Sequence, residues 1–394
     1  MMSNDTLAKA ADILPEIVSL RRKIHANPEL GNQLPETTAA VVESLAGLDL
    51  DIRYSRETTG FVATLQGGKP GPRVMLRADM DALPMPEDNN LEFASKNPGK
   101  MHACGHDSHT AMLVGAARLL HGERQNLAGS VDFFFQTGEE GYFGAKVAID
   151  EGLFDAPNSP DGVFAIHITP LVPIGKAISR PGPILAAADT WNIIVKGKGG
   201  HASMPQDCLD PVPVACEIVQ ALQTFVTRRI SAFDPVVLTT TKIEAGTTSN
   251  VIPETASLTG TLRSLSERSR ATAHEGIERV ARKIAEAYEM EIEFDLNLGY
   301  PVTVNDPEFV GFASETARKL LGADGYINSK SPMMGAEDFS YFLQRWPGAM
   351  FFLGVKPEDA NLAAPCHSNR MILNEQGMVA GMALHAEIAL NYLR

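Results

Sequence analysis

Residues 71–84 read GPRVMLRADMDALP. Val74, Met75 and Leu76 make a short apolar run that leads directly into Asp79 and Asp81. Such a run, opened by Gly-Pro and closed by Leu-Pro, reads as a buried strand whose carboxyl end carries the two acids. The same grammar recurs downstream. SVDFFFQTGEEG (130–141) is an apolar strand ending in Glu139-Glu140, and DGVFAIHITP (161–170) is another ending in His167. AMFFLGV (349–355) is a further strand. Helix-like segments alternate with these. Leu14, Ile17, Val18 and Ile24 recur at helical spacing, DSHTAMLVGAARLL (107–120) reads as a helix capped by Asp107 or Ser108, and a C-terminal helix is expected near 375–393. Alternation of this kind predicts an α/β fold with helices flanking a sheet.

The texture changes near residue 186. TWNIIVKGKGGHASMP (190–205) is a strand and Gly-rich turn, and PVACEIVQALQTFVTRR (213–229) is a helix. VVLTTTKIEAG (236–246) and ASLTGTLRSLS (256–266) are two strands. GIERVARKIAEAYE (276–289) places Ile277, Val280, Ala281, Ile284 and Tyr288 on one helical face, and EIEFDLNL (291–298) closes the set. Strand-helix-strand-strand-helix-strand is the split βαβ pattern of a ferredoxin-like α+β sandwich. After Gly299-Tyr300-Pro301 the α/β texture returns. The expected organisation is an α/β domain over 1–185 and 299–394, with a smaller domain inserted over 186–298.

Composition removes several classes of partner. The net charge is −14, from 34 Lys and Arg against 48 Asp and Glu, and that balance opposes binding to nucleic acid phosphates. No apolar run approaches the roughly 18–20 residues of a membrane span. The N-terminus mixes acids with apolar residues at helical spacing and has no secretory pattern. Four cysteines, Cys104, Cys208, Cys216 and Cys366, contain no CxxC pair and make no disulfide framework. A reducing cytoplasm is the expected compartment.

Residues 101–110, MHACGHDSHT, gather three of the ten histidines and one of the four cysteines. Taken singly, each candidate has a bland explanation. His167 can be a hydrogen-bonded strand end, Glu139-Glu140 a solvated pair, and Cys104 a small buried hydrophobe. His102, Asp107 and His109 can simply support the fold. Coincidence alters the balance. Asp79, Asp81, Glu139, Glu140, His167 and His367 all fall at or just past strand ends of one expected sheet, where open α/β sheets collect functional groups. Cys104 and His106 are spaced to reach one ion, and thiolate, imidazole and carboxylate are ligands for zinc and related metals.

At this point the chain resembles the metal-dependent aminoacylase and amidohydrolase branch of the dinuclear metallopeptidases, which includes hippurate hydrolases and indoleacetyl-amino-acid hydrolases. The resemblance runs from RRKIHANPEL (21–30) to the C-terminal helix. It is carried by MHACGHDSHTAMLVGAA (101–117), QTGEEGYFGAK (136–146), AIHITP (165–170), GKGGHASMP (197–205), GTTSNVIPE (246–254), GTLRS (260–264), MGAEDFSYF (334–342) and PCHSN (365–369). It implies a metallopeptidase-type mixed sheet and metal ligands Cys104, His106, Glu140, His167 and His367, with Glu139 as general base. Five ligands with one bridging give two sets of about three, so two divalent ions are expected; Zn, Mn, Co and Ni all accept these donors. Glu139, next to a ligand but not itself one, is placed to take a proton from water and return it to the leaving amine.

The inserted domain resembles the family's lid and dimerisation domain, so a homodimer or higher homo-oligomer is expected. The resemblance assigns His201 and Asn250 to stabilising the oxyanion, His201 from the partner subunit. It assigns Arg263 to a substrate carboxylate and Gly335 to close backbone approach by substrate. The chain departs from the common pattern at Cys366, Ser108, Tyr142 and Phe143, without losing a ligand or the base. The expected reaction is hydrolysis of N-acyl-amino acids. Carboxypeptidase or dipeptidase activity is the nearest alternative. A cysteine hydrolase using Cys104 and His106 leaves the other ligand-type residues without a role, and a non-catalytic binding protein leaves Glu139 and His201 without one.

Overall fold

The computed structural model describes the chain from residue 2 to residue 394, with side chains from residue 5 onward. It forms two compact units. One comprises the chain up to Ile184 together with Val304–Ser331 and Asp338–Arg394; the other comprises Leu185–Thr303 and Pro332–Glu337.

The first unit is built on an eight-stranded mixed sheet. Its centre is parallel: Lys69–Asp79 lies between Ala128–Gln136 and Gly162–Thr169, and Gly348–Gly354 follows. These strands are buried along most of their length, which explains their unbroken apolar runs. Phe61–Gln66 and Asp51–Tyr54 extend one side antiparallel. Ala177–Ser179 and Tyr326–Asn328 extend the other.

Met2–His25, His106–Gly122 and Met378–Tyr392 pack against one another over this sheet. Ile17, Leu113, Met382, Phe133 and Leu76 meet in its core. Burying one such side chain stabilises the fold by about 1.5–3 kcal/mol. Strand alternation sends Phe134 the opposite way, where it meets Phe154 and Phe342 edge-on at 5.0 and 5.5 Å.

The second unit contains a four-stranded antiparallel sheet in the order Val236–Ala245, Thr255–Ser264, Ala187–Lys196, Glu291–Leu298. That order, with Pro211–Arg229 and Glu267–Ala287 as the two helices, is the ferredoxin-like arrangement. Trp191, Ile193 and Val195 alternate with more exposed residues and pack with Leu222, Leu258 and Ile277. The unit also takes in Pro332–Glu337, a return of the chain that the sequence reading placed with the other domain. The tie is backbone: the Ala186 N–H donates to the carbonyl oxygens of Met333 and Gly335 at 3.1 and 2.9 Å. Among the described residues, no helix is long and apolar enough to cross a membrane.

Candidate metal centre

Asp79 ends its strand, Thr137-Gly138-Glu139-Glu140 follows the next, and His167 is near the end of a third, opposite Phe352 in register. The 101–105 loop arrives at the same edge and turns into the His106–Gly122 helix through Gly105. Gly105 has φ +83°, and a Cβ there would meet Ile168 Cγ1 at 2.5 Å, so both conformation and space require glycine. The expected cap by Asp107 or Ser108 does not form. Ser108 Oγ instead donates back to the Gly105 carbonyl at 2.6 Å. Asp107 Oδ2 is taken by two cationic partners, Arg21 Nε and His25 Nδ1, each at 2.8 Å.

Two groups of ligand atoms converge. Cys104, His106 and His167 form one set with all three donor atoms within 4.8 Å of one another; Cys104, Glu140 and His367 form a second. Cys104 is common to both. His167 is oriented by its other nitrogen: Nδ1 donates to the Ile168 carbonyl at 2.6 Å, so the Nε2 lone pair faces Cys104 Sγ at 3.3 Å. Burial, reinforced by His109, holds His167 well below the usual imidazole range and keeps it neutral. His367 Nε2 lies 3.3 Å from Glu140 Oε1. Glu139 joins a third close group with His106 and Glu140, adjacent to both sets. Of the two imidazoles near Cys104 Sγ, the one within hydrogen-bonding distance among the described residues is His167, not the His106 considered from sequence as a base.

The electrostatics fit a cation. His106 is fully buried, and among the described residues neither ring nitrogen has a hydrogen-bond partner. Its neighbours are carboxylates: Asp81 Oδ1 at 3.4 Å from Nδ1, and Asp79 Oδ2 and Glu140 Oε1 at 3.7 and 3.9 Å from Nε2. Glu140 Oε1 is likewise buried without a hydrogen bond. Burial alone would depress the His106 pKa, but Asp79, Asp81 and Glu140 override it and raise it to about 10. Orphaned ligand atoms in a field of carboxylates are what a divalent-ion site presents before its ions are counted.

The remaining histidines of the 101–110 stretch have other duties. His109 Nδ1 donates to Asp79 Oδ1 at 2.6 Å, and its Nε2 accepts the Ile168 N–H at 2.8 Å. Both nitrogens are used, so His109 braces the sheet edge. His102 is buried outside the ligand groups, and desolvation lowers its pKa to about 3.

Sequence reasoning noted Asp79 and Asp81 but assigned them no role. The Asp81 carboxylate accepts the backbone N–H groups of Glu139 and Glu140, both at 3.0 Å, and so sets the turn carrying base and ligand. Arg21 and His25 were also missed; the signal was the RRKIHANPEL motif itself. Arg21 reaches Asp107 on one side and Glu375 on the other, both at 2.8 Å.

In the second unit, His201 and Asn250 come together. Gly200–His201 pairs with Val251–Ile252, His201 opposite Val251, and the Ala202 N–H donates to the Asn250 carbonyl at 3.1 Å. His201 Nδ1 accepts the Ser203 backbone N–H at 3.1 Å, which leaves Nε2 as the ring's N–H donor. Arg263 lies on another strand of this unit, half-buried, and among the described residues makes no ion pair. At Gly335 an added Cβ would have only Leu185 within 4 Å, at 3.4 Å.

Comparison with known proteins gives concordant results. Residues 75–391 match the family described as Peptidase family M20/M25/M40. A thermostable carboxypeptidase of Saccharolobus solfataricus is 39% identical over 381 residues, 95% of each chain. An IAA-amino acid hydrolase of Arabidopsis thaliana is 39% identical over 391 residues, 98% of this chain and 87% of that one. A solved Bacillus subtilis structure described as a dinuclear metal binding peptidase superposes with a TM-score of 0.84 at 33% identity, covering 97% of this chain and 99% of that one.

Proposed function

The chain belongs to peptidase family M20/M25/M40, and from that premise we propose that it is a metal-dependent amidohydrolase cleaving N-acyl-amino acids to a carboxylic acid and a free amino acid. The observation that carries this reading is the pair of ligand sets sharing Cys104, with Glu139 beside both. Cys104, His106, Glu140, His167 and His367 hold two divalent ions. When bound, those ions supply Lewis acidity that polarises the scissile carbonyl and acidifies water.

The chain's own residues do the rest. Glu139 takes a proton from the attacking water and delivers it to the departing amine nitrogen. His201 donates its Nε2–H to the carbonyl oxygen as negative charge develops there, with Asn250 beside it. Arg263, which makes no ion pair among the described residues, takes the substrate's carboxylate, and its planar fork suits a bidentate pair. Gly335 leaves room for substrate against the backbone. The second unit acts as lid and dimerisation domain.

The carboxypeptidase reading remains the specific alternative, favoured by the carboxypeptidase relative. Both readings share the free carboxylate and differ on the acyl side. A release assay on matched N-acyl-amino acids and dipeptides, after chelation and reloading with each of Zn, Mn, Co and Ni, tests them. Amino-acid release from acyl substrates that is lost on chelation and regained on reloading supports the amidohydrolase. Preference for dipeptides supports the alternative, and turnover indifferent to chelation excludes both.

A further inference from the structure

Cys366 is not among the five proposed ligands, yet it sits against one of them. The His367 N–H donates to the Ala103 carbonyl at 2.8 Å, which pins the 365–368 turn beside the 101–105 loop. Cys366 Sγ lies 3.9 Å from the Cys104 carbonyl oxygen, which makes the two cysteines neighbours across the two loops. Cys104 is buried and Cys366 is partly exposed, so a small solute meets Cys366 first. The other two cysteines, Cys208 and Cys216, belong to the second unit.

We infer that Cys104 and Cys366 form an oxidative modification site, at which peroxide joins the two sulfurs of the metal-free protein and thereby blocks metal loading. The inference rests on the reading of Cys104 as a ligand. Within the two ligand sets Cys104 is the only shared donor, so its loss removes a ligand from each set. The chemistry balances. The Cys366 sulfur attacks a peroxide oxygen; an S–O bond forms, the O–O bond breaks and water leaves. The Cys104 sulfur then attacks the Cys366 sulfur; the S–S bond forms, the S–O bond breaks and a second water leaves. Two thiols are oxidised, one peroxide is reduced, and a dithiol reductant reverses the change. A disulfide needs Cβ atoms roughly 3.5–4.5 Å apart, and the 365–368 turn, pinned to Ala103 and carrying Cys366 Sγ against the Cys104 backbone, brings the two residues together for it. In the loaded enzyme Cys104 is engaged by metal and the pair is protected.

The test uses the full chain, stripped by chelator, then treated with hydrogen peroxide. Readouts are thiol titration, intact mass, peptide mapping and bound zinc per chain. The expected result is a fall from four titratable thiols to two, a loss of two hydrogen masses, a 104–366 cross-linked peptide and loss of zinc uptake, all restored by dithiothreitol. Cys366→Ala, with Cys366→Ser as the second variant, retains zinc uptake under the same oxidant. Absence of the 104–366 peptide from oxidised protein overturns the proposal. So does loss of zinc uptake in both Cys366 variants at the wild-type rate. Failure of the underlying reading looks different: Cys104→Ser would then load zinc as fully as the reduced wild type, whatever the cross-link does.

Discussion

The Asp81 carboxylate accepts the Glu139 backbone N–H at 3.0 Å, and its second oxygen accepts the next N–H of the turn at the same distance. Both oxygens are committed, which makes Asp81→Asn a sharp test. The amide keeps one acceptor and turns a donor toward the other N–H, so one buried N–H loses its partner at a cost of about 1–3 kcal/mol. Glu139 and Glu140 then lose their shared anchor. Changes to groups that orient ligands typically cost about 10- to 100-fold in metal affinity or activity, and that range is expected here. Chelator-competition titration and kcat together check it. Wild-type values for both would show that the turn holds itself.

Glu139→Gln separates base from ligand. The amide is nearly isosteric and cannot take a proton, so kcat should fall by about 10²- to 10⁴-fold while metal content and thermal stability stay near wild type. Glu140→Gln is the contrast: it alters a carboxylate in the Cys104–His367 set and should lower metal content as well. Near wild-type turnover by Glu139→Gln would remove the base assignment.

Much of this was legible in the sequence, for identifiable reasons. The central strands are buried on both faces, so Val74–Leu76 and Phe133–Phe135 read as unbroken apolar runs. The strand at 187–196 is covered on one face only, so it alternates. Ligand-type residues stood out because thiol, imidazole and carboxylate clustered at strand ends. What stayed hidden depends on distant partners. Asp107 looked like a helix cap because Arg21, which claims it, is 86 residues away. His109 could be read as a support for the fold, but not what it supports, since its partners Asp79 and Ile168 are 30 and 59 residues away. Pro332–Glu337 gave no compositional sign that it returns to the second unit.

Acid stability should expose one buried cluster in the second unit. Asp189 is held by Arg270 at 2.6 Å and His274 at 2.7 Å. Burial pushes its carboxyl up, but the Arg270 and His274 hydrogen bonds prevail and hold it at about 2. An unfolded Asp titrates near ~3.9. The folded state therefore favours the ionised form, and the stabilisation is present above about pH 4 and lost as pH falls toward about 2. Asp189→Asn should be less stable at neutral pH, because Arg270 loses its buried carboxylate and keeps only the more exposed Glu267, and should lose less further stability between those limits. Denaturant unfolding of both proteins across that window measures it. Parallel pH dependences would mean that Asp189 titrates normally.

Arg263 makes no ion pair among the described residues, so its removal leaves no protein carboxylate stranded. Arg263→Ala should therefore fold normally and raise KM for substrates with a free α-carboxylate. Primary amides of the same substrates, which lack the charge, should be hydrolysed as by wild type. Loss of a charge-assisted hydrogen bond is worth about 1.5–3 kcal/mol, roughly a 10- to 150-fold rise in KM. Equal losses on acid and amide substrates would assign Arg263 to structure instead.

His201 makes a prediction about assembly. The Ser203 N–H occupies its Nδ1, so Nε2 is the donor available to a developing oxyanion. If that oxyanion forms in the partner subunit's site, the defects of two inactive parents are complementary. His201→Ala chains keep Glu139 but present no histidine; Glu139→Gln chains present the histidine but lack the base. In a mixed dimer one site has lost both groups and the other has both intact. Removing one oxyanion donor typically costs about 10²- to 10³-fold in kcat, so each parent alone should be nearly inactive. Co-expressed with distinct tags and purified as a heterodimer, the pair should recover up to half of wild-type activity per dimer. A heterodimer no more active than its parents would show that His201 acts within its own chain or not on the oxyanion. A His201→Ala parent with wild-type kcat would remove the residue from the mechanism altogether.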